Sequence, residues 1–429
     1  MSPQNLVGVP AISGNKHRML SYDQALMEVL AAASAIGETE EVPLALARGR
    51  VLGGDVYAPI SLPSFENTAV DGFAVRSEDT RTASPENPVC LQIVETIAAG
   101  SVPKHTLSAG QAARILTGAP LPMGADALVM VEDTQQGPGD TVELSLRASA
   151  RYIRRVGSDL RVGALALQSG TEIDTGAIGL LAALGQRSVV CRRQPRVAVL
   201  TTGDEVYFGG DSIPPLGSIY DANGPALVAA VQQAGATVTL HRHIGDDPAA
   251  IRAMLTEASG CDLILTSGGV SVGEYDYVKA AVEEIGSLHF WRIAIKPGKP
   301  LAFGRVGDAL FCGLPGNPVS SLVTFELFMR PALRKLAGYS RLQRTIVSAV
   351  LGSPLPHEMG RREFVRTRLE QQGEHEKAGD TPAGLRALPL GSQDSHRLSS
   401  LASADALLIA HEEHGDYAIG DALPAILLN

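Results

Sequence analysis

The rhythm of apolar and polar positions changes three times along the chain, and each change predicts a different kind of element. From Ser21, apolar side chains recur at Ala25, Leu26, Val29, Leu30 and Ala33. That spacing predicts an amphipathic helix capped by the serine and closed near Gly37. A second short helix is expected around Ala45–Leu52, followed by an extended arm through Pro59 and Pro63. Between Pro88 and Arg147 the runs shorten. Val89–Ile97, Ala112–Leu116, Ala127–Glu132 and Thr141–Leu146 read as strands divided by Gly/Pro turns. Helical spacing returns at Thr175–Leu184, so the β-rich stretch is expected to be a small insertion in a mixed domain.

Residues 195–338 alternate strand and helix. Arg196–Leu200, Thr237–Ile244, Asp262–Leu265, His289–Ile295 and Ala309–Gly313 are the apolar runs that read as strands. Asn223 before Pro225, Asp247 before Pro248 and Asn317 before Pro318 mark helix starts, and Gly235, Gly260 and Gly286 mark helix ends. Such alternation predicts a three-layer α/β domain with a mostly parallel sheet. Pro331 is expected to kink the last helix rather than end it, because Leu333 and Leu336 continue the apolar spacing. Beyond Gly338, the runs Ile346–Val350, Glu363–Leu369, Ala406–Ile409 and Ala422–Leu428 predict a second small β domain of barrel type. The expected organisation is a mixed domain of residues 19–86 and 148–190, an inserted β domain of 87–147, a central α/β domain of 191–340 and a C-terminal β domain of 341–429.

Composition narrows the function classes. A net charge of −10 disfavours nucleic acid and anionic membranes as partners, since phosphates repel an acidic surface. Aromatic residues at 4% leave few platforms for stacking bases. No apolar stretch is long enough to span a bilayer, and the first residues lack a signal pattern. Cys90, Cys191, Cys261 and Cys312 form no C-x-x-C pair, which predicts reduced thiols and a cytoplasmic setting.

In open parallel sheets, ligands bind beyond the carboxyl ends of the strands. Here those ends hold the unusual residues. Glu205, Asp246 and Asp276 follow three different strands, and Asp71 is a fourth candidate. Carboxylates of this kind supply the hard oxygen donors of a Mg2+ site that grips a phosphate. Plainer readings stand beside this one. Asp276 precedes the helical run Tyr277–Ile285 and also reads as a helix cap. Asp247, next to Pro248, is the natural cap of its helix, which leaves Asp246 surplus to capping. Lys296 and Lys299 flank Pro297-Gly298, with Arg292 on the preceding strand. A stiff loop with two cations suits a tetrahedral oxyanion, and a solvated basic loop is the ordinary alternative. Leu314-Pro315-Gly316-Asn317-Pro318 can present a helix start to an anion. Arg151, Arg154, Arg155 and Arg161 form a second basic cluster, for which a salt-bridged surface is the alternative. His411-Glu412-Glu413-His414 lacks metal-protease spacing, and neither a nucleophile elbow nor a Walker A loop is present. Acyl transfer and P-loop hydrolysis are therefore poor readings.

Eight stretches taken in order carry a closer likeness. They are Asn67–Ala74, Arg114–Pro120, Ile153–Asp159, Thr202–Glu205, Tyr220–Asn223, Ser267–Asp276, Ala294–Pro300 and Gly313–Ser320. Together they resemble the molybdopterin molybdenumtransferase family, the MoeA type also found as the E domain of gephyrin, over nearly the whole chain. The resemblance implies the molybdenum-cofactor-biosynthesis fold in the centre of a four-part elongated subunit, and a homodimer whose cleft is built from both chains. It implies that adenylylated molybdopterin and molybdate give molybdenum cofactor and AMP, with Mg2+ required. Partners implied are a molybdopterin adenylyltransferase and apo-molybdoenzymes. Asp71, Glu205, Asp246 and Asp276 match the family's functional carboxylates, and Thr117, Arg154 and Asp159 match other cleft positions. Ser271, Lys296 and Lys299 match its molybdate site, with Arg366 and Ser395 reaching in from the C-terminal domain. Arg292, Pro315, Asn317 and Pro318 are assigned to substrate binding. Thr68 and Val70 depart mildly from the family pattern, Arg292 stands where lysine is common, and Gln393–His396 follows the pattern loosely. Two alternatives are an adenylyltransferase on the same central fold and a noncatalytic scaffold. Gly268-Gly269-Val270-Ser271, where adenylyltransferases carry Gly-Gly-Thr-Gly, counts against the first; the retained carboxylates count against the second.

Overall fold

The computed structural model describes residues 19–207, 213–269, 277–371 and 384–428. They divide into two compact units, one of Glu41–Arg48 with Leu52–Val190 and the other of the remaining described chain. No helix among the described residues is long and apolar enough to cross a membrane.

The first unit is built on a six-stranded sheet ordered Ala127–Met130, Gly72–Val75, Gln111–Ile115, Val89–Ile97, Thr141–Leu144, Thr134–Gln136. Gly72–Val75 lies upstream of residue 87 yet pairs antiparallel on both sides within this sheet. All four of its residues are buried, so it lacks the alternation that betrays a half-exposed strand. Apolar clusters lie on both faces, around Phe73, Leu91 and Val142 on one and around Ala74, Ile97 and Leu128 on the other. Short pairings extend from the sheet: Asn67–Thr68 with Ile153–Arg154, and Val56–Tyr57 with Leu165–Leu167. Asp174 caps the Thr175–Ala183 helix by accepting the Ala177 N–H. The helix expected at Ala45–Leu52 is only a 3-10 turn, Leu44–Leu46, because the Arg48-Gly49 turn interrupts it.

In the second unit the central sheet runs Thr237–Ile244, Arg196–Thr202, Leu263–Ser267, Ala309–Leu314, Pro300–Val306, Gly286–Arg292. The first four are parallel, and Pro300–Val306 is antiparallel to both neighbours. The five expected strands therefore point the same way and share one carboxyl edge. The sixth, Pro300–Val306, went unseparated because it follows the Lys-Pro-Gly-Lys-Pro turn directly. Helices Tyr22–Ala32, Asn223–Gln233 and those of residues 318–336 pack into one core, whereas Pro248–Ala258 and Tyr277–Ile285 pack into another. Ser21 and Gln24 form a reciprocal capping box on the first of these helices. At Pro331 the helix does not break. The preceding π-turn, Phe325–Met329, absorbs the hydrogen bond that proline cannot make.

The C-terminal strands Arg362–Gln371, Leu385–Pro389, Ile346–Leu351, Ala422–Leu427 and Ala406–Ala410 close into a five-stranded barrel, since the first pairs with both the second and the last. Leu385–Pro389 had no counterpart among the expected strands. One further pairing places the site. After Arg292 the chain leaves the central sheet, and Ile295–Lys296 joins the barrel as a parallel neighbour of Arg362 and Glu363.

Candidate active site

At the carboxyl edge of the central sheet, Glu205 folds back over Gly203. Gly203 adopts φ 126°, and a Cβ there would strike the Glu205 carboxylate. Two adjacent strand-end turns are latched together: the Asp246 N–H donates to Asp204 Oδ1 at 3.0 Å, and the Asp204 N–H points back to Asp246 Oδ2 at 3.5 Å. Asp247 caps the following helix by accepting the Ala249 N–H at 3.0 Å, so Asp246 has no capping duty. Ser271 and Asp276 lie outside the described residues.

The same edge holds buried polar atoms without partners. Thr202 Oγ1, Thr266 Oγ1 and Asn223 Oδ1 have no hydrogen bond among the described residues. Each such atom costs about 1–3 kcal/mol unless something satisfies it, so this edge holds polar groups able to take a ligand. Asn223 is itself fixed, donating to Ser267 Oγ at 2.9 Å and to the Gly316 carbonyl at 2.7 Å. Ser267 Oγ in turn donates to the Pro315 carbonyl at 3.3 Å. The helix start at Asn223 is capped by Asp221, which accepts the Gly224 N–H at 2.8 Å. Among the described residues no three His, Cys, Asp or Glu side chains gather around a common point for a metal ion. Glu205 and Asp246 remain as two carboxylates on neighbouring turns. That donor set fits Mg2+, which takes one or two protein carboxylates and completes its shell with water and substrate phosphate.

Beside this edge a cleft of about 440 Å³ opens between the central domain and the barrel. Lys296, Gly298 and Lys299 form one wall, Asn317 and Ser320 another, and Arg361 with Gln393–Ser395 the third. Lys296 Nζ lies 3.0 Å from Glu363 Oε1. The Ser395 loop is tied to the helix by the Val319 N–H, which donates to the Ser395 carbonyl at 3.2 Å. Arg366 does not line the cleft. It is 1% exposed and spends its guanidinium on the loop, donating to Gln393 Oε1 at 3.1 Å, the Asp394 carbonyl at 3.1 Å and the Ser392 carbonyl at 3.3 Å. Arg292 is also outside the cleft lining, with its guanidinium 5.7 Å from the Trp291 ring centre. Pro318 starts the helix whose first turn supplies Ser320. Asp394, on the rim, is held below the usual carboxylate range by the Ser392 hydroxyl, with His396, Arg397 and Arg366 adding to the effect.

In the other unit, Asp71 and Thr117 meet. Asp71 Oδ1 accepts the Thr117 hydroxyl at 2.6 Å and the Thr117 N–H at 2.7 Å. Those two bonds, with Arg114 nearby, keep the exposed Asp71 carboxyl below its ordinary pKa. The Gly118 N–H donates to the Thr68 carbonyl at 2.9 Å, and Arg154 stands opposite Asn67 in the short pairing next to it. Asp159 is exposed, its N–H bonded to the Leu62 carbonyl at 3.0 Å. The basic cluster is divided: Arg155 pairs with Glu66 at 2.8 Å and Arg151 covers the Tyr152 ring, whereas Arg154 is exposed.

Sequence reasoning missed Thr202, Ser320, Arg361, Gln393 and Asp394. Thr202 and Ser320 sit inside the matched stretches, so a signal was present. Gln393 and Asp394 belong to the loosely matched stretch around Ser395, and Arg361 lies at the barrel mouth, where nothing local distinguishes it.

Three family models match consecutive parts of the chain: MoeA N-terminal region (domain I and II) over residues 20–185, probable molybdopterin binding domain over 198–335, and MoeA C-terminal region (domain IV) over 348–428. A molybdopterin molybdenumtransferase 2 of Mycobacterium tuberculosis is 43% identical over 390 residues, covering 89% of this chain and 93% of that protein. A molybdopterin molybdenumtransferase of Haemophilus influenzae is 35% identical over 408 residues, covering 94% and 97%. The crystal structure of a molybdopterin biosynthesis moeA protein from Pyrococcus horikoshii superposes with a TM-score of 0.81 at 29% identity, over 96% of this chain and all of that one. With a carboxylate-lined sheet edge, a cationic cleft at the barrel mouth and these likenesses along its length, the chain belongs to the molybdopterin molybdenumtransferase family.

Proposed function

We propose that this protein inserts molybdate into adenylylated molybdopterin and releases AMP, yielding molybdenum cofactor. The observation that carries this reading is the cleft, where Lys296, Lys299, Arg361 and Ser395 come together beside a sheet edge that holds polar atoms unpartnered among the described residues. Two anionic reactants must be brought together, and fixed cations lower that cost. Lys299 and Arg361 attract molybdate, while the Ser395 and Ser320 hydroxyls donate to its oxygens. The Thr202 hydroxyl donates to the pterin phosphate, and Asn223 Oδ1 accepts from an N–H of the pterin. Asp71, kept ionised by Thr117, accepts hydrogen bonds from substrate donors and does not act as a proton store. Water adds to the AMP phosphorus and gives up a proton to solvent, the phosphoanhydride bond breaks and AMP leaves; one molybdate oxygen departs as water, carrying the two dithiol protons, as both sulfurs bind molybdenum. Mg2+ held by Glu205 and Asp246, with Asp276 as a further candidate, would neutralise charge on the phosphoanhydride.

Ser271, Arg154 and Asp159 are retained in the proposal as substrate contacts, and Arg366 acts through the 392–394 loop. The two groups of helices on either face of the central sheet support a three-layer reading of that domain. A homodimer is proposed as well: Tyr57 and Leu165 lie opposite each other on the arm, and Ile60, Phe65, Val156 and Val162 on nearby segments are also exposed. Such an apolar surface suits a second copy. The free cysteines suit a cytoplasmic enzyme that receives its pterin from an adenylyltransferase and delivers to apo-molybdoenzymes. The test is to measure AMP release and molybdenum incorporation separately. Asp246→Asn should abolish both, and Lys299→Ala should raise the molybdate KM while sparing AMP release at saturating molybdate. Wild-type rates in both variants would refute the proposal.

A further inference from the structure

The cleft is lined by the cations Lys296, Lys299 and Arg361 and by one rim carboxylate, Asp394. Beneath them lies a second carboxylate outside the family's matched positions. Glu363 is 4% exposed, and its Oε1 sits 3.0 Å from Lys296 Nζ. The backbone fixes this meeting, because Ile295–Lys296 joins the barrel in parallel with Lys296 in register with Glu363. The Lys296 side chain remains 46% exposed, so its ammonium faces both the buried carboxylate and the cleft. Arg366, the other buried charge of this strand, directs its N–H groups to residues 392–394 and meets Glu363 only through its charge, whereas Lys296 is the cation in direct contact with that carboxylate. Lys299 has no ion-pair partner among the described residues, and Arg361 pairs only with the exposed Glu358.

We propose that Glu363 sets the anion affinity of the cleft by taking up part of the Lys296 charge. A carboxylate directly behind a cation cancels much of its field, and burial makes the cancellation stronger than it would be in water. The cleft then presents less positive potential than its three cations alone would give. That suits a site whose anion is consumed: the metal leaves in the product, and a cleft that held tetrahedral dianions too tightly would also be blocked by sulfate. The proposal rests on the reading above only in taking this cleft as the molybdate site.

The experiment measures molybdate binding to the full-length protein by calorimetry, with sulfate as competitor, for wild type, Lys299→Ala, Lys296→Ala, Glu363→Gln and the Lys296→Ala/Glu363→Gln pair. Glu363→Gln keeps the side chain's shape and an oxygen toward the ammonium but removes the charge. It is expected to tighten both anions about tenfold, and to do nothing when Lys296 is already alanine. A residue that merely held Lys296 in place would give the opposite sign. Weakened or unchanged binding in Glu363→Gln, or equal tightening without Lys296, overturns the proposal. Glu363→Asp, which keeps a charge but draws it back by one methylene, should tighten binding by a smaller factor; weaker binding there also overturns it. If wild type binds through Lys299 but Glu363→Gln does not tighten it, only the role of Glu363 fails. If wild type binds no molybdate, or Lys299→Ala makes no difference, the cleft assignment and the Glu363 proposal fall together.

Discussion

Gly298 sits between the two lysines of the cleft, and replacing it with alanine tests how the loop is held. Its φ is 107°, and an added Cβ would run into Thr324 Cγ2, with Ile295 Cδ1 at 3.3 Å and the Ser320 carbonyl at 3.7 Å. The backbone conformation costs an L-residue about 1–2 kcal/mol. Overpacking against a buried helix residue costs about 1–3 kcal/mol more. Gly298→Ala should therefore lose about 2–5 kcal/mol or shift the loop by an equivalent strain. Because the loop carries Lys296 and Lys299, the molybdate KM should rise at least about tenfold, and Tm should fall. Two controls separate the terms. Gly360 has φ 98° and nothing within 4 Å of its would-be Cβ, so Gly360→Ala carries only the backbone cost. Thr324→Ser removes the obstructing methyl but keeps the hydroxyl that donates to the Ser320 carbonyl at 2.7 Å. Gly298→Ala/Thr324→Ser should thus recover much of the lost molybdate affinity. The reasoning is refuted if Gly298→Ala leaves the molybdate KM within twofold of wild type, or if the second substitution recovers nothing.

Thr117→Ala removes the hydroxyl that holds Asp71 ionised, so the acid limb of the pH–rate profile for AMP release should move to higher pH; an unmoved limb counts against Asp71 as an ionised contact. Asp247→Ala should cost about 1 kcal/mol of stability with activity retained. Asp246→Asn should do the reverse, and denaturant melts alongside the AMP assay separate the two neighbours. Arg362 donates to both oxygens of Glu412, at 2.8 and 3.1 Å, and to Asp23. Arg362→Met should destabilise the barrel by about 2 kcal/mol at neutral pH, the low side of a buried-pair loss because Glu412 keeps partial exposure. Burial raises the Glu412 pKa, but the bonds from Arg362 outweigh it and the net shift is downward. The pair's contribution is therefore present above the unfolded carboxyl pKa and lost as pH falls through the lower folded value. Urea melts of wild type and variant should converge on acidification, and a constant gap would refute this.

The strand ends of the central sheet were legible because one edge collects residues that a strand interior rejects: Gly203, Asp204, Glu205, Asp246 and Lys296 each interrupt an apolar run. Pro300–Val306 was not legible as a separate strand because it follows the Lys-Pro-Gly-Lys-Pro turn directly, and Gly72–Val75 because four residues are too few to show any period. The parallel addition of Ile295–Lys296 to the barrel was hidden for a different reason. A two-residue pairing has no periodicity, and its partner lies more than sixty residues away along the chain. Glu363 shows the same limit. In sequence it is an ordinary strand residue beside Arg362, and only the register with Lys296 gives it a charge to answer. Arg366 marks where likeness and geometry part: the matched position was assigned to the oxyanion, whereas its N–H groups are engaged by the loop that carries Ser395.

The cleft lies where the central domain and the barrel share a core, which fixes its walls relative to one another. Ile295, Val319, Val323, Phe328 and Leu333 pack in the same apolar cluster as Phe364, Leu407, Ile409 and Ile426 of the barrel. Tyr22 wedges its ring between Phe328 and Phe364, at 5.5 and 5.3 Å between ring centres, and burial pushes its hydroxyl pKa up to about 12. Arg362 closes the seam by reaching Asp23 and Glu412 at once. Swinging the barrel away would expose several of these large side chains, at about 1.5–3 kcal/mol each. Lys299, exposed, and Arg361, partly exposed, can therefore change rotamer in the cleft while the frame that carries them stays fixed.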